Sequence, residues 1–204
     1  QLLAQSWYDD AGLRIKTIEY SGNENVTTYY FDNFAQIVNS SGIYNETYYY
    51  YYDKLVGKKG TNGEITYYHP DAIGSTSLIT NSSGSIMENL DYEAFGKLIE
   101  ESDERYTFTG QEQDTESGLI YMKQRYQNPD LAQFIQPDPV IQDVYNPQDL
   151  NKYAYARNNP LKYKDTSGEY VTIPDILDYG SLAISSIVFA INPSEENRND
   201  LSLD

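Results

Sequence analysis

The sequence predicts a mainly β protein made of stacked antiparallel hairpins, and three observations support this fold class. Tyr supplies 22 of the 204 residues, and its ring packs on a half-buried pleated surface while the hydroxyl stays in water. Segments 14–20 and 64–68 alternate between polar and apolar residues with the period of two of a β-strand. Turn signals rich in Gly, Asn, Asp and Ser separate such segments. This pattern favours a Tyr-rich sheet over a Leu-rich helical bundle.

A short phrase of residues recurs in the first half of the chain. It begins with an aromatic residue, commonly followed by an acidic one, and continues with two or three residues of variable type, usually a Gly, a polar or basic residue, and then aliphatic residues. Its copies start 16 to 24 residues apart, at Tyr8, Phe31, Tyr52, Tyr68 and Tyr92. An Asp side chain bonds to its own backbone and Gly supplies positive φ, so each phrase predicts a tight turn between two strands. Because a single hairpin cannot bury a face alone, we expect the hairpins to stack into a long curled sheet.

The run of five tyrosines at 48–52 is expected to lie in one strand and to place rings on both of its faces, because successive strand residues point to opposite sides.

Composition excludes several classes of function. The formal net charge of −17 argues against a surface for nucleic-acid phosphates or for anionic membranes. The chain contains no Cys and a single His, His69, which excludes disulfides, thiolate metal sites and multi-His metal sites. We interpret His69, beside Pro70, as a turn or stacking residue, and we expect no cofactor.

The second half carries a series of short motifs in a fixed order. In one-letter code these are RYTFTGQE at 105–112, ESGLIY at 116–121, RYQNP at 125–129, FIQPDP at 134–139, NKYAY at 151–155, NNP at 158–160 and LKYKDTSG at 161–168. This series closely resembles the RHS-repeat-associated core domain, and the phrases before it resemble the Tyr-Asp repeats that precede that core. The resemblance covers roughly residues 8–169.

The resemblance implies a β-strand shell. In that family the Tyr-Asp repeats spiral into a hollow cocoon, the core domain curls inward as a plug, and the shell encloses a variable C-terminal segment that is often a toxin. It divides this chain into Tyr-Asp-type repeats at 1–104, the core at 105–169, and a variable C-terminal segment or linker at 170–204. The expected partner is therefore the chain's own C-terminal segment, held as cargo.

Many family members release that segment by self-cleavage with two Asp residues, as in an aspartic protease. By resemblance, Asp138 matches the first acidic position, and Asp149 could supply the second. Arg157 would position a backbone carbonyl or an Asp. The alternative for Asp138 and Asp149 is an ordinary turn or helix-capping role.

The family's cleavage motif reads Asp-Pro-x-Gly followed by an apolar residue. Asp165 and Gly168 match it, whereas Thr166 replaces the Pro and Glu169 replaces the apolar residue. The expected scissile bond is Glu169–Tyr170. A charged side chain beside that carbonyl is a poor fit for a dry, acid-catalysed site.

Beyond the core, residues 176–191 form a largely apolar stretch interrupted by Asp178 and Gly180. It falls below the ~20 residues that a membrane-spanning helix needs. We expect a short buried helix, the alternative being a membrane-active segment.

Three functions stay open. The first is a structural, non-enzymatic shell and plug segment that encloses or presents the C-terminal segment. The second is an intramolecular aspartic peptidase that acts once at Glu169–Tyr170. The third is an extracellular carbohydrate-binding or adhesion module with Tyr rings stacked on sugars. In each case a secreted or cell-surface location is expected, with surface glycans or secretion machinery as further partners.

Overall fold

The computed structural model describes residues 4–21, 24–139 and 145–172. In this part of the chain, nine strands pair in sequence order to form one antiparallel sheet. The strands are β1 (Ala4–Tyr8), β2 (Arg14–Ser21), β3 (Glu24–Phe31), β4 (Phe34–Asn39), β5 (Gly42–Tyr51), β6 (Lys54–Lys59), β7 (Ile65–Pro70), β8 (Thr76–Asn81) and β9 (Ile86–Asn89). The predicted mainly β class with consecutive antiparallel hairpins is confirmed.

A second, four-stranded antiparallel sheet follows in the same order. It contains β10 (Glu112–Gln113), β11 (Ile120–Met122), β12 (Arg125–Asn128) and β13 (Gln133–Phe134). The described helices are three short 3-10 helices at Phe108–Gly110, Pro147–Leu150 and Ala156–Asn158. No described helix is long and apolar enough to cross a membrane. The expected apolar helix at 176–191 lies outside the described residues.

Asp-initiated turns join some hairpins as predicted. Between β7 and β8, Asp71 Oδ1 accepts hydrogen bonds from Ile73 N at 3.0 Å and from Ser75 N at 2.8 Å. Gly74, at φ +96°, donates to the Asp71 carbonyl. The turn after β1 repeats this pattern with Asp9. An acidic side chain and a Gly three positions later therefore reverse the chain at both places.

Two copies of the phrase behave differently. β3 and β5 end in turns of only two residues, with φ +57° at Asp32 and +54° at Tyr52. Neither copy has a Gly three positions after its Asp, as the turns at Asp9 and Asp71 do, and Gly57 lies inside β6 instead. Tyr52 is therefore a turn residue, and the prediction that all five tyrosines share one strand was wrong for it.

The other tyrosines of this run lie in β5, whose pairing register with β6 shifts between Tyr49 and Tyr50. Tyr48 is 1% exposed, whereas Tyr50 is 44% exposed. His69, interpreted above as a turn or stacking residue, is not in a turn: it lies in β7, where its Nε2 is 3.0 Å from Thr80 Oγ1 on the neighbouring strand. Strand pairing continues through this position because the turn begins two residues later, at Asp71.

Two hydrophobic clusters form the core. The first consists of residues of the large sheet and the segment after it: Ala35, Tyr48, Leu55, Tyr68, Ile79 and Leu90, with Tyr92, Leu98 and Tyr106 packed against them. The second lies around the small sheet: Phe108, Ile120, Met122, Phe134, Tyr155 and Ala156, with Ile73, Tyr92, Phe95 and Tyr163 packed against them. Tyr92 belongs to both, so the two sheets share a continuous apolar interior.

Buried charges join the first hairpin to the second half of the chain. The Arg14 side chain is 2% exposed and forms salt bridges with Asp114 at 2.7 Å and Glu112 at 3.2 Å. Its guanidinium lies 4.2 Å from the ring centre of Tyr121 and donates to the Tyr126 hydroxyl at 2.7 Å. Burial alone would lower the pKa of Arg14, but Glu112 and Asp114 outweigh it and raise the pKa. A compensated ion-pair network thus holds the first hairpin of the large sheet to the start of the small sheet.

Candidate functional site

A buried arginine on β12 lies between two carboxylates. The Arg125 side chain is 4% exposed, and one of its terminal nitrogens lies 2.8 Å from Asp138 Oδ2 and 3.3 Å from Asp165 Oδ2. Its guanidinium carbon lies 3.6 Å from the ring centre of Phe134. Since both carboxylates approach the same nitrogen, Asp138 and Asp165 are neighbours although 27 positions separate them in the sequence.

Arg125 also binds backbone carbonyls on either side of this pair. Its Nη1 donates to the Lys152 carbonyl at 3.1 Å, and its Nε donates to the Gly168 carbonyl. Burial lowers the pKa of Arg125, while the charges of Asp138 and Asp165 oppose that effect. One side chain thus connects β12 with three later parts of the chain, an arrangement that we name the Arg125 clasp (Arg125, Asp138, Asp165 and the carbonyls of Lys152 and Gly168).

The last part of the clasp is a tight buried turn. Asp165 is fully buried, and its Oδ1 accepts from Ser167 N at 3.2 Å and from Gly168 N at 2.8 Å. Gly168 has φ +78°, and a Cβ there would lie 2.5 Å from the Met122 carbonyl oxygen. Only Gly fits a backbone that turns left-handed while it touches the β11–β12 hairpin.

The peptide bond that follows this turn is also anchored. Ser167 Oγ accepts hydrogen bonds from Glu169 N at 3.2 Å and from Tyr170 N at 3.1 Å. Tyr170 is 53% exposed, whereas Gly168 is buried. The chain therefore passes from the interior to the surface across the predicted cleavage motif.

Asp149 and Arg157 form a separate pair. Asp149 lies in the 3-10 helix Pro147–Leu150, capped by Asn146, and its carboxylate binds Arg157 in a bidentate manner at 2.6 and 2.7 Å. The hydrogen bond to Asp149 raises the pKa of Arg157. Asp138 and Asp149, which the sequence suggested as a pair, are each bound by a different arginine.

Sequence reasoning missed Arg125 and the role of Asp165 as a partner of Asp138. The available signal was an arginine inside the strand segment RYQN, because a basic residue at a buried strand position requires an acidic partner.

A second long-range ion pair holds the end of the core to the repeats. Lys164, whose side chain is 8% exposed, binds Asp53 in the turn between β5 and β6. Burial would raise the pKa of Asp53, but the hydrogen bond and charge of Lys164 lower it.

Among the residues that the structure describes, no group of three or more His, Asp or Glu side chains is placed to hold a metal ion.

The family model described as Teneurin YD-shell matches residues 5–161, which covers both sheets and the first part of the clasp. The chain belongs to the teneurin YD-shell family. The resemblance to Tyr-Asp repeat proteins that the motifs predicted is confirmed.

Two relatives of this YD-shell chain are, by name, a nuclease and a toxin subunit. The tRNA3(Ser)-specific nuclease WapA of Bacillus spizizenii is 33% identical over 175 residues, which cover 80% of this chain and 7% of that protein. The toxin subunit YenC1 of Yersinia entomophaga is 29% identical over 115 residues, which cover 52% of this chain and 11% of that protein.

Solved structures confirm the shell fold. The complex TcdB2-TccC3-Cdc42 aligns with a TM-score of 0.70 at 21% identity, covering 81% of this chain and 9% of that one. The Tc holotoxin pore of Photorhabdus luminescens also aligns with a TM-score of 0.70, covering 89% of this chain. This YD-shell chain thus spans less than an eighth of the length of these relatives.

Proposed function

We propose that this chain is the last segment of a longer YD shell, in which residues 105–169 act as a plug and the residues after the clasp are enclosed cargo. The observation that carries the proposal is the Arg125 clasp, which fixes Gly168 to the β11–β12 hairpin immediately before the variable segment. A plug that holds cargo needs a rigid exit point, and four contacts around one buried guanidinium provide it.

The ion pairs between the two halves support the same role. Arg14 binds Asp114, and Lys164 binds Asp53, so each half of the plug is attached to a different hairpin of the large sheet. Removing Asp114 would leave the Arg14 side chain, which is 2% exposed, without this partner, and breaking such a buried pair costs about 3–5 kcal/mol. The Asp53 side chain is 53% exposed, so its pair with Lys164 contributes less. The plug is therefore resistant to displacement from the sheet.

The names of the relatives support a toxic cargo. WapA is named a tRNA nuclease and YenC1 a toxin subunit.

A toxin that acts on another cell has to leave the producing cell, so we propose that the parent protein is located in the medium or on the cell surface. Fractionation of a producing culture tests this, and a parent protein confined to the cell interior contradicts it. Surface glycans and secretion machinery stay predictions as partners.

Enclosure can be tested by protease access in the parent protein. A recognition site for a sequence-specific protease is inserted after Thr172, and the same site is inserted in the exposed turn at 82–85 as the accessible control. Enclosure predicts that the site after Thr172 is cut at least about tenfold more slowly than the turn site, because cleavage then requires opening of the shell.

The matched variant is Arg125→Met, which keeps the apolar stem and removes the guanidinium. It should raise the rate of cutting after Thr172 and leave the rate at 82–85 unchanged. Equal cutting at the two sites in the unmodified folded protein would show that the segment after Thr172 is not enclosed.

Self-cleavage is a second candidate function, and one observation favours it. Asp138 and Asp165 approach one nitrogen of Arg125. Asp165 lies four positions before Glu169, whose bond to Tyr170 is the expected scissile bond. Two neighbouring carboxyls can divide the work of an aspartic peptidase, one as general base for water and the other as general acid. This pairing assigns the second acidic role to Asp165 in place of Asp149.

Intact-mass measurement of the purified chain tests this candidate. A break at Glu169–Tyr170 that disappears in Asp138→Asn and Asp165→Asn but persists in Asp149→Asn supports the pair at Arg125. A full-length mass for the unmodified chain after prolonged incubation refutes self-cleavage and leaves the shell proposal intact.

Carbohydrate binding has weaker support. Tyr48, Tyr68 and Tyr155 are at most 3% exposed and serve the core, whereas other tyrosines, among them Tyr52 at 72% and Tyr145 at 92%, are exposed. A sugar platform requires several such rings on one surface, and this function stays a prediction.

A further inference from the structure

One face of the large sheet carries a line of side chains across its first five strands. Residues directly opposite each other on antiparallel strands point to the same face of a sheet. The register of β1 to β5 therefore places five side chains in one row, namely Trp7, Lys16, Tyr29, Gln36 and Asn45. Because neighbouring strands lie about 4.8 Å apart, the row is about 19 Å long. That length suits an extended ligand.

This row lies on the outer face, which is turned away from the small sheet. Tyr29 precedes Tyr30 in β3, and successive strand residues point to opposite faces. The Tyr30 hydroxyl donates to Glu112 of the small sheet at 2.6 Å. Tyr30 therefore points to the inner face and Tyr29 to the outer one.

A second row follows on the outer face, two positions along the strands. It consists of Phe31, Phe34, Thr47 and Lys59. The ring centres of Phe31 and Phe34 are 6.0 Å apart, and Phe31 is 59% exposed. A groove of about 560 Å³ opens here, and its lining includes Trp7, Tyr29 and Phe31. We name the two rows together the outer patch, since an exposed apolar groove with polar neighbours is typical of a binding surface.

The outer patch differs in charge from the chain as a whole. Both of its charged side chains, Lys16 and Lys59, are basic. The acidic residues inside strands β1 to β6, as the structure describes them, alternate to the inner face: Glu19, Glu24 and Glu46. Although the net charge is −17, the Debye length is only about 8 Å at physiological ionic strength, so the local charges dominate at contact. The outer patch therefore complements an anionic group.

We propose that the outer patch binds an oligosaccharide of uronic acids. The face of a sugar ring presents C–H groups, which pack against the negative face of an aromatic ring such as Phe31. A sugar carboxylate forms a charge-assisted hydrogen bond with a lysine. This inference gives a site and a ligand class to the carbohydrate-binding alternative above, and it does not depend on the enclosure of cargo.

Lys16 is positioned in advance for such a carboxylate. Its Nζ lies 4.8 Å from the ring centre of Trp7 and 5.3 Å from that of Tyr29. Cation–π attraction to the two rings orders the ammonium, so binding costs less side-chain entropy. Further along the row, Gln36 Nε2 donates to Asn45 Oδ1 at 3.2 Å. Each amide has further donor and acceptor positions, which can bind sugar hydroxyls while this bond persists.

The test titrates the chain with two probes of different ring stereochemistry, tetragalacturonate and tetramannuronate. Trp7 is the single Trp of the chain and lines the groove, so its fluorescence reports binding at the site itself. We expect at least one probe to bind and to change this fluorescence. The methyl-esterified form of that probe, which has the same skeleton without charge, should bind at least about tenfold more weakly, the size of a lost charge-assisted hydrogen bond.

Two variants and a matched control assign the binding to the outer patch. Lys16→Gln should lower the affinity at least about tenfold, and Phe31→Ser should lower it by a factor of about 3–10. Lys123→Gln removes an exposed lysine from the small sheet and should leave the affinity unchanged. Urea midpoints close to that of the unmodified chain show that the variants are folded.

The remaining outcomes overturn the proposal. Neither probe changing the Trp7 fluorescence at millimolar concentration excludes a uronic acid ligand, and equal binding of the esterified probe excludes the role of charge. Equal losses in Lys16→Gln and Lys123→Gln place the binding elsewhere. Self-association in sedimentation velocity that Phe31→Ser abolishes assigns the outer patch to a second copy of the chain. None of these results affects the protease-access test of enclosure.

Discussion

The clasp makes a quantitative prediction for Gly168, because Gly84 offers a control with nearly the same backbone. Gly168 has φ +78° and Gly84 has φ +80°, so replacing either with Ala imposes the same left-handed strain of about 1–2 kcal/mol. At Gly84 a Cβ meets nothing within 4 Å, whereas at Gly168 it would lie 2.5 Å from the Met122 carbonyl oxygen and 2.9 Å from Arg125 N. Both of these are backbone atoms of a paired hairpin, so the turn itself has to move.

That movement removes the hydrogen bond from the Arg125 guanidinium to the Gly168 carbonyl, and a bond to a charged group contributes about 1.5–3 kcal/mol. We therefore expect Gly168→Ala to lower the free energy of unfolding by about 3–5 kcal/mol and Gly84→Ala by only about 1–2 kcal/mol. Urea titration followed by the fluorescence of the single Trp measures both values. Equal losses in the two variants would refute the close approach of the turn to the β11–β12 hairpin.

Three further predictions concern individual charges. Arg14→Met should reduce the free energy of unfolding by about 3–5 kcal/mol in a urea titration, because the carboxylates of Glu112 and Asp114, 10% and 13% exposed, lose their arginine partner. A loss below about 1 kcal/mol, as for a surface ion pair, would contradict the buried network. Lys164 lowers the pKa of Asp53 below the ordinary value of 3.8. The unmodified chain should therefore be more stable than Asp53→Asn above pH 3.8, and this difference in the free energy of unfolding should disappear on further acidification. Thermal melts at pH 7 and pH 2.5 check this, and an unchanged difference would count against the ion pair. Glu169→Leu should speed scission, because it removes a charge beside the reacting carbonyl, and mass measurements showing a slower reaction would oppose this reasoning.

The large sheet was predictable because its information is local. Alternation at 14–20 and the Asp-initiated turn at Asp71 each depend on fewer than ten neighbouring residues, and the structure has both. The two-residue turn at Tyr52 was missed because the repeating phrase suggested a Gly-containing turn that the sequence does not supply there.

The candidate site was harder to predict because its partners are distant in sequence. The resemblance suggests Asp149 as the companion of Asp138, but Arg157 binds Asp149. Asp165 reaches Asp138 through Arg125, and this contact exists only once β12 and the final turn have packed together. Periodicity identifies strands and turns, whereas the charge pairs between them depend on the finished tertiary structure.

The separation between Arg14 and Asp114 has a consequence for the order in which the protein assembles. Each hairpin of the large sheet closes between neighbours, while this ion pair joins residues 100 positions apart. Loop-closure entropy delays such contacts relative to local pairing. On the ribosome the sheet can therefore form progressively from its first strands, and the stretch beyond Thr172 is synthesised after both sheets. Under the proposed enclosure, the wall of the shell is therefore made before the segment that it would hold.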